Sequence, residues 1–154
     1  MRFLADAMLG RLAKWLRILG HDTAYFPYAE DRELVRLARA EGRLLLTRDR
    51  DLIRRRGVRS LLVESDVFEE QLEQLLRDLD LEVESPLPRC VHCNTILEEV
   101  GKDTVKGRVP PYVFRRHSDF TWCPRCDKVF WRGTHWQRMR ERMDEIRERA
   151  VSLS

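Results

Sequence analysis

The 154 residues fit one ordinary domain or two small ones, and 43% hydrophobic residues are enough for a real core. With 36% charged residues, against roughly 25% in typical soluble domains, and no run of about 18 apolar residues, the sequence excludes a bilayer-spanning helix and points to a soluble globular chain. The net charge of +3 conceals an asymmetry, because residues 1–86 carry 15 Lys/Arg and 17 Asp/Glu whereas residues 87–154 carry 14 and 9.

Arg2–Ala5 reads as a short buried strand ending at Asp6, and an acid so early argues against a secretion signal, so a cytoplasmic address is expected. Residues 8–20 follow a helical period, with Leu9, Leu12, Ala13, Leu16 and Leu19 on one face, Arg11, Lys14 and Arg17 on another, and Gly20 as the stop. Thr23–Phe26 is a second strand, closed by Pro27. A helix from Asp31 to Glu41 follows, ended by Gly42. Leu44–Leu46 is too short an apolar run for a helix and reads as a strand leading into Thr47-Arg48-Asp49-Arg50-Asp51. A basic helix over 52–56, a strand at Leu61–Val63 and a helix over 67–79 complete the first half. Strand–helix alternation of this kind implies an α/β fold with a parallel sheet flanked by helices.

Ser85-Pro86-Leu87-Pro88 has the composition of a linker, and beyond it the pattern changes to paired cysteines and short aromatic stretches around Tyr112–Phe114 and Val129–Trp131. The last segment is helical again: Trp136, Met139, Met143, Ile146 and Ala150 form an apolar stripe, and Thr134 with Gln137 fits a capping box at its start. The expected division is therefore 1–84, an α/β domain; 85–133, a small zinc ribbon; and 134–154, a helix packed back on the first domain.

Cys90-Val91-His92-Cys93 and Cys123-Pro124-Arg125-Cys126 are separated by 29 residues. Each Cys-x-x-Cys brings two sulfurs within reach of one ion, and tetrahedral Zn²⁺ takes four, so Cys90, Cys93, Cys123 and Cys126 are expected to hold one structural zinc. The separation suits a zinc ribbon. A redox Cys-x-x-Cys would leave the other pair unexplained, and His92, adjacent to Cys93, is expected to point outward. Four thiolates and one Zn²⁺ would bring the whole protein near +1, so net charge is no argument for nucleic acid and only local basic clusters count.

Asp6 ends the first strand, Asp31 opens the second helix, and Asp49 and Asp51 follow the third strand, all at the edge where open α/β sheets bind ligands. Carboxylates gathered there repel one another unless divalent cations lie between them, which is the arrangement that metal-dependent phosphodiester hydrolysis needs. The structural alternative is that Asp31, and Asp49 or Asp51, are helix caps.

Phe3-Leu4-Ala5-Asp6, Leu16-Arg17-Ile18-Leu19-Gly20-His21-Asp22, Asp31-Arg32-Glu33-Leu34 and Leu46-Thr47-Arg48-Asp49-Arg50-Asp51-Leu52 resemble PIN-type nucleases. With Cys90-x-x-Cys93-Asn94, Cys123-x-x-Cys126 and Val129-Phe130-Trp131-Arg132-Gly133-Thr134-His135, residues 2–140 resemble the C-terminal RNase domain of Mut-seven exonucleases, a PIN-like fold joined to a zinc ribbon. The resemblance implies metal-dependent RNA cleavage, with Asp6, Asp31 and Asp49 as ligands of catalytic Mg²⁺ or Mn²⁺ and Asp51 as a weaker fourth acid. Glu33 is the alternative to Asp31 as second acid.

Arg11, Lys14 and Arg48, near these acids, are candidate phosphate contacts. His135, at the start of the last helix, is a further substrate contact if that helix packs back. Tyr112, Phe114, Trp122 and Trp131 are either base-stacking surfaces or packing around the knuckles. RNA is the expected partner, with no membrane. Two other readings stay open: a non-catalytic RNA-binding or adaptor protein, and the toxin of a toxin–antitoxin pair.

Overall fold

The computed structural model describes residues 1–81 and 88–153, without the side chains of His135, Ala150 and Leu153. The proposed linker at 85–88 thus lies outside the described residues except for Pro88. In chain order the elements are β1 (Arg2–Ala5), a 3₁₀ turn (Ala7–Leu9), α1 (Gly10–Ile18), β2 (Asp22–Tyr25), α2 (Asp31–Glu41), β3 (Leu44–Thr47), α3 (Arg50–Ile53), β4 (Ser60–Leu62) and α4 (Phe68–Leu79). Then follow β5 (Glu98–Val100), α5 (Lys102–Val105), α6 (Pro111–Arg116), β6 (Phe120–Cys123), β7 (Lys128–Trp131) and α7 (Thr134–Leu153).

The first four strands form one parallel sheet in the order β2-β1-β3-β4. Successive side chains of a strand point to opposite faces, so a sheet covered on both sides needs continuously apolar strands. Leu44-Leu45-Leu46 meets that need, and all three are buried. Phe3, Ala5, Leu44 and Leu46 face α1, α4 and α7, while Leu4, Ala24 and Leu45 face α2 and Leu52 of α3. Gly42 closes α2 at φ 64°, the left-handed conformation that glycine adopts without a Cβ penalty.

Met139, Met143 and Ile146 of α7 join the core formed by β1, β3, α1 and α4. Each such burial contributes roughly 1.5–3 kcal/mol, and Arg142 adds an ion pair to Glu69 of α4 at 2.7 Å. The second sheet is antiparallel, ordered β5-β6-β7, with Val105, Val109, Val113 and Phe120 as its own small core.

Several boundaries differ from the sequence reading. The segment after Asp6 begins as a 3₁₀ turn because the Asp6 carboxylate accepts from Met8 N, and α1 proper starts only at Gly10. The basic helix placed at 52–56 is α3, Arg50–Ile53, because Asp49 caps it by accepting from Asp51 N. Tyr112–Phe114 lies in helix α6, started by Pro111 in the first turn. Thr134 is the first residue of α7 rather than its cap: Gln137 N donates to the Gly133 carbonyl. No helix among the described residues is long and apolar enough to cross a membrane.

Candidate functional site

The four cysteines come together. Their sulfurs all lie within 4.8 Å of one another, with Cys93–Cys123 at 3.5 Å and Cys90–Cys126 at 3.9 Å. Four sulfurs at 2.3 Å from a tetrahedral Zn²⁺ would be about 3.8 Å apart, so the donor set fits that ion in both chemistry and size. The two knuckles share one construction. Asn94 N donates to the Cys90 carbonyl and Asp127 N to the Cys123 carbonyl, each at 2.8 Å. Asn94 and Asp127, each directly after a second cysteine, turn the chain at φ 70° and 55°. Short polar residues tolerate that left-handed conformation better than most, so the residue after each Cys-x-x-Cys is part of the motif.

Cys126 N also donates to Cys123 Sγ at 3.3 Å. Burial raises the Cys90 thiol. Cys93 is drawn down to about 6: burial opposes this, but the Thr95 hydroxyl and the neighbouring thiols prevail. Contact with Cys93 pushes Cys126 up to about 12. His92 is exposed and is not among the clustered ligands.

Asn94 does a second job. Its side chain donates to Asp22 Oδ1 at 2.7 Å and accepts from Thr23 N at 3.0 Å, fastening the first knuckle to the start of β2. Arg17 reinforces this junction by donating to the carbonyls of Thr23 and Val91, both at 2.8 Å. Arg17 is therefore buried, not part of the exposed basic face that its spacing with Arg11 and Lys14 suggested. Asp22 also pairs with Arg43 at 2.7 Å and Arg2 at 3.3 Å. Partial burial alone would raise its pKa, but these hydrogen bonds bring it down to about 2.

The acids occupy the opposite edge. In the order β2-β1-β3-β4 the chain direction of the crossovers reverses between β1 and β3, and the carboxyl ends of these two strands form the switch point of the sheet. Asp6 follows β1 there and Asp49 follows β3. Thr47, the last residue of β3 and fully buried, links them: its hydroxyl donates to Asp6 Oδ2 and accepts from Asp49 N at 2.9 Å. Asp6 is itself only 6% exposed, and further bonds from Met8 N and Arg48 N, at 3.0 and 3.3 Å, satisfy it. The Tyr25 hydroxyl holds the 3₁₀ turn through the Ala7 carbonyl at 2.9 Å. Gly10 makes room for that ring, since a Cβ there would stand 2.8 Å from the hydroxyl.

The other predicted positions are looser. Asp31 is exposed at the first residue of α2, whose cap position is Glu30 rather than Asp31. Glu33 is exposed and 3.8 Å from Arg36. Asp51 is almost fully exposed and lies 3.9 Å from Arg54. No three of the described acids bring their carboxylates within 4.8 Å of one another. Arg11 lies over the Phe68 ring at 4.5 Å, and Lys14 is exposed one turn further along α1. Arg48 donates to the Glu64 carbonyl at 3.3 Å, and its Nε has no hydrogen-bond partner among the described residues. The His135 side chain lies outside the described residues. Of the aromatic candidates, Phe114 and Trp131 pack against the second core, Trp122 donates to Asp127 at 2.7 Å, and Tyr112 is 57% exposed.

Sequence reasoning missed Thr47, because a threonine ending a strand carries no spacing signal. It also missed Glu64 and Asp66, which lie in the loop between β4 and α4 and line a depression of about 650 Å³ with Arg48. The rule that picked out Asp6 and Asp49, an acid just past a strand, would have found Glu64. A protein-family model described as the Mut7-C RNAse domain matches residues 1–143. The chain belongs to the Mut7-C RNase domain family. No curated protein and no solved structure gives a significant match. Membership in the Mut7-C family points to a nuclease- or RNA-related role, and the cysteine quartet has the donor set and spacing for a metal ion.

Proposed function

We propose that the protein is a PIN-type, metal-dependent ribonuclease whose reaction takes place at the carboxyl edge of the parallel sheet. The observation that carries this reading is the Asp6–Thr47–Asp49 link at the switch point of a Mut7-C family member. Asp6, Asp49 and Asp31 would hold Mg²⁺ or Mn²⁺, with Asp51 as a more distant acid, and such an ion supplies an activated water and charge stabilisation. The donor set suits a hard cation. A carboxylate has about four lone-pair sites; Asp6 uses three of them in hydrogen bonds and Asp49 uses one.

In this reading Thr47 orients the Asp6 carboxylate and fixes the turn that presents Asp49. Arg48, whose Nε–H has no partner among the described residues, and Arg11 and Lys14 on the face of α1 would neutralise phosphate charge during in-line attack. His135 is a further substrate contact. The four cysteines hold a structural Zn²⁺ in a zinc ribbon; with all four positions filled by protein, that ion has none left for water.

Purified protein is expected to cleave RNA when Mn²⁺ or Mg²⁺ is supplied, and Asp6→Asn to stop cleavage while far-UV circular dichroism and zinc content stay unchanged. Full activity in Asp6→Asn would remove Asp6 from the site. A second reading, a non-catalytic RNA-binding protein, draws support from Asp49, whose carboxylate caps α3, and from the dispersed carboxylates. It predicts salt-sensitive RNA binding without divalent cations and no turnover with them.

A further inference from the structure

A cleft of about 800 Å³ lies between α1, the antiparallel sheet and the start of α7. Its volume falls within the roughly 300–1,000 Å³ of ordinary ligand sites. Trp15, Phe130, Trp131 and Trp136 line it, with Lys14 and Arg132 at its rim. Phe130, Trp131 and Trp136 are each only partly buried, while Lys14 and Arg132 are exposed. The Arg132 guanidinium lies 4.5 Å over the Trp136 ring, so one face of that ring already receives a planar cation. The acids of the cleft, Glu99 and Asp119, belong to the antiparallel sheet and the loop leading into it, leaving positive charge toward α1 and α7.

We propose that this cleft binds single-stranded RNA, stacking bases on Trp131 and its aromatic neighbours and setting the sugar–phosphate backbone along Lys14 and Arg132. The inference rests on the ribonuclease reading for its choice of ligand. Duplex RNA hides its base faces, whereas an unpaired strand offers every base to an aromatic wall. Position supplies the second argument. Helix α1 begins shortly after Asp6 and carries exposed Arg11, which lies over the Phe68 ring, and then exposed Lys14, which lines the cleft. With about 1.5 Å of rise per residue, Lys14 stands on the order of 10 Å from the acidic edge. A strand anchored in the cleft therefore reaches the acids within a few nucleotides, and it crosses positive charge on the way.

The test uses the zinc-loaded full chain, a fluorescein-labelled ten-nucleotide oligoadenylate, and a hairpin duplex of similar length, in buffer without Mg²⁺ or Mn²⁺. The single strand is expected to bind more tightly than the hairpin and to quench tryptophan emission, because three of the four tryptophans line the cleft. Trp131→Ala is expected to weaken single-strand binding roughly tenfold, with partial recovery in Trp131→Phe. Trp131 also packs against the second core, so Arg132→Glu, at an exposed position, decides the matter if Trp131→Ala misfolds. Affinity unchanged in Arg132→Glu, or equal affinity for the hairpin, overturns the proposal and leaves the cleft to a protein segment. Cleavage assays separate the two readings: activity surviving Asp6→Asn defeats the catalytic assignment, whereas the binding results bear on the cleft alone.

Discussion

The cysteine quartet and the acidic edge are both sets of metal-ligating residue types, yet the fold treats them differently. The sulfurs touch, two of their pairs at 3.5 and 3.9 Å, while no three described carboxylates come within 4.8 Å. Thiols are small, soft and almost apolar, so a protein interior can bring four of them together. Carboxylates carry charge at neutral pH, and each needs either hydrogen-bond donors or a cation before a second can approach. The fold supplies donors: a threonine hydroxyl and main-chain amides hold Asp6, and a helix start holds Asp49. Proximity alone therefore finds a thiolate site, whereas an acidic site is found by asking what orients each acid.

The largest effect should come from the sulfur side. Removing zinc with a chelator, or Cys123→Ser, withdraws on the order of 10 kcal/mol of metal-binding free energy. Hydrogen exchange should then show protection lost across 98–131 while the parallel sheet keeps its own; equal loss in both would mean that the halves fold as one unit. Next comes Asp6→Asn, for which loss of the metal contribution predicts a fall in kcat of about a thousandfold, or about 4 kcal/mol. Thr47→Val sharpens the comparison because it deletes only the hydroxyl between two acids. It leaves Asp49 N unpaired and Asp6 under-bonded, costing about 2–3 kcal/mol by urea denaturation, with a parallel loss of activity. Full activity in Thr47→Val would show that the link serves the fold alone.

The smallest effect concerns the junction of the two halves. Asp22 titrates at about 2 in the folded chain against an ordinary value of 3.8. Because the folded value is the lower one, its contribution is complete above about pH 4 and is lost as the pH falls toward 2. That is worth about 2 kcal/mol, measurable as a pH-dependent urea midpoint that flattens over this range in Asp22→Asn.

Much of this was legible in the residues. Continuous apolar runs announced β1 and β3, the Asp31–Glu41 period with Gly42 gave α2 to the residue, and paired cysteines gave the quartet. What escaped was set by contacts between distant segments. Arg17 has the spacing of a surface cation, but the carbonyls of Thr23 and Val91, the latter 74 residues away, draw it inward. Thr47 matters only because parallel pairing sets β3 beside β1. The aromatic cleft needs α1, the second sheet and α7 at once, which no local pattern encodes.

The docking of α7 on α4 has a consequence for synthesis. Met143 and Ile146, fully buried against the first sheet, are made after every other described element. A nascent chain that has finished its parallel strands therefore still shows an uncovered apolar stripe on α1 and α4. The acidic edge, whose β1 and β3 rest on that same core, therefore owes its final packing to a helix made long after its own strands.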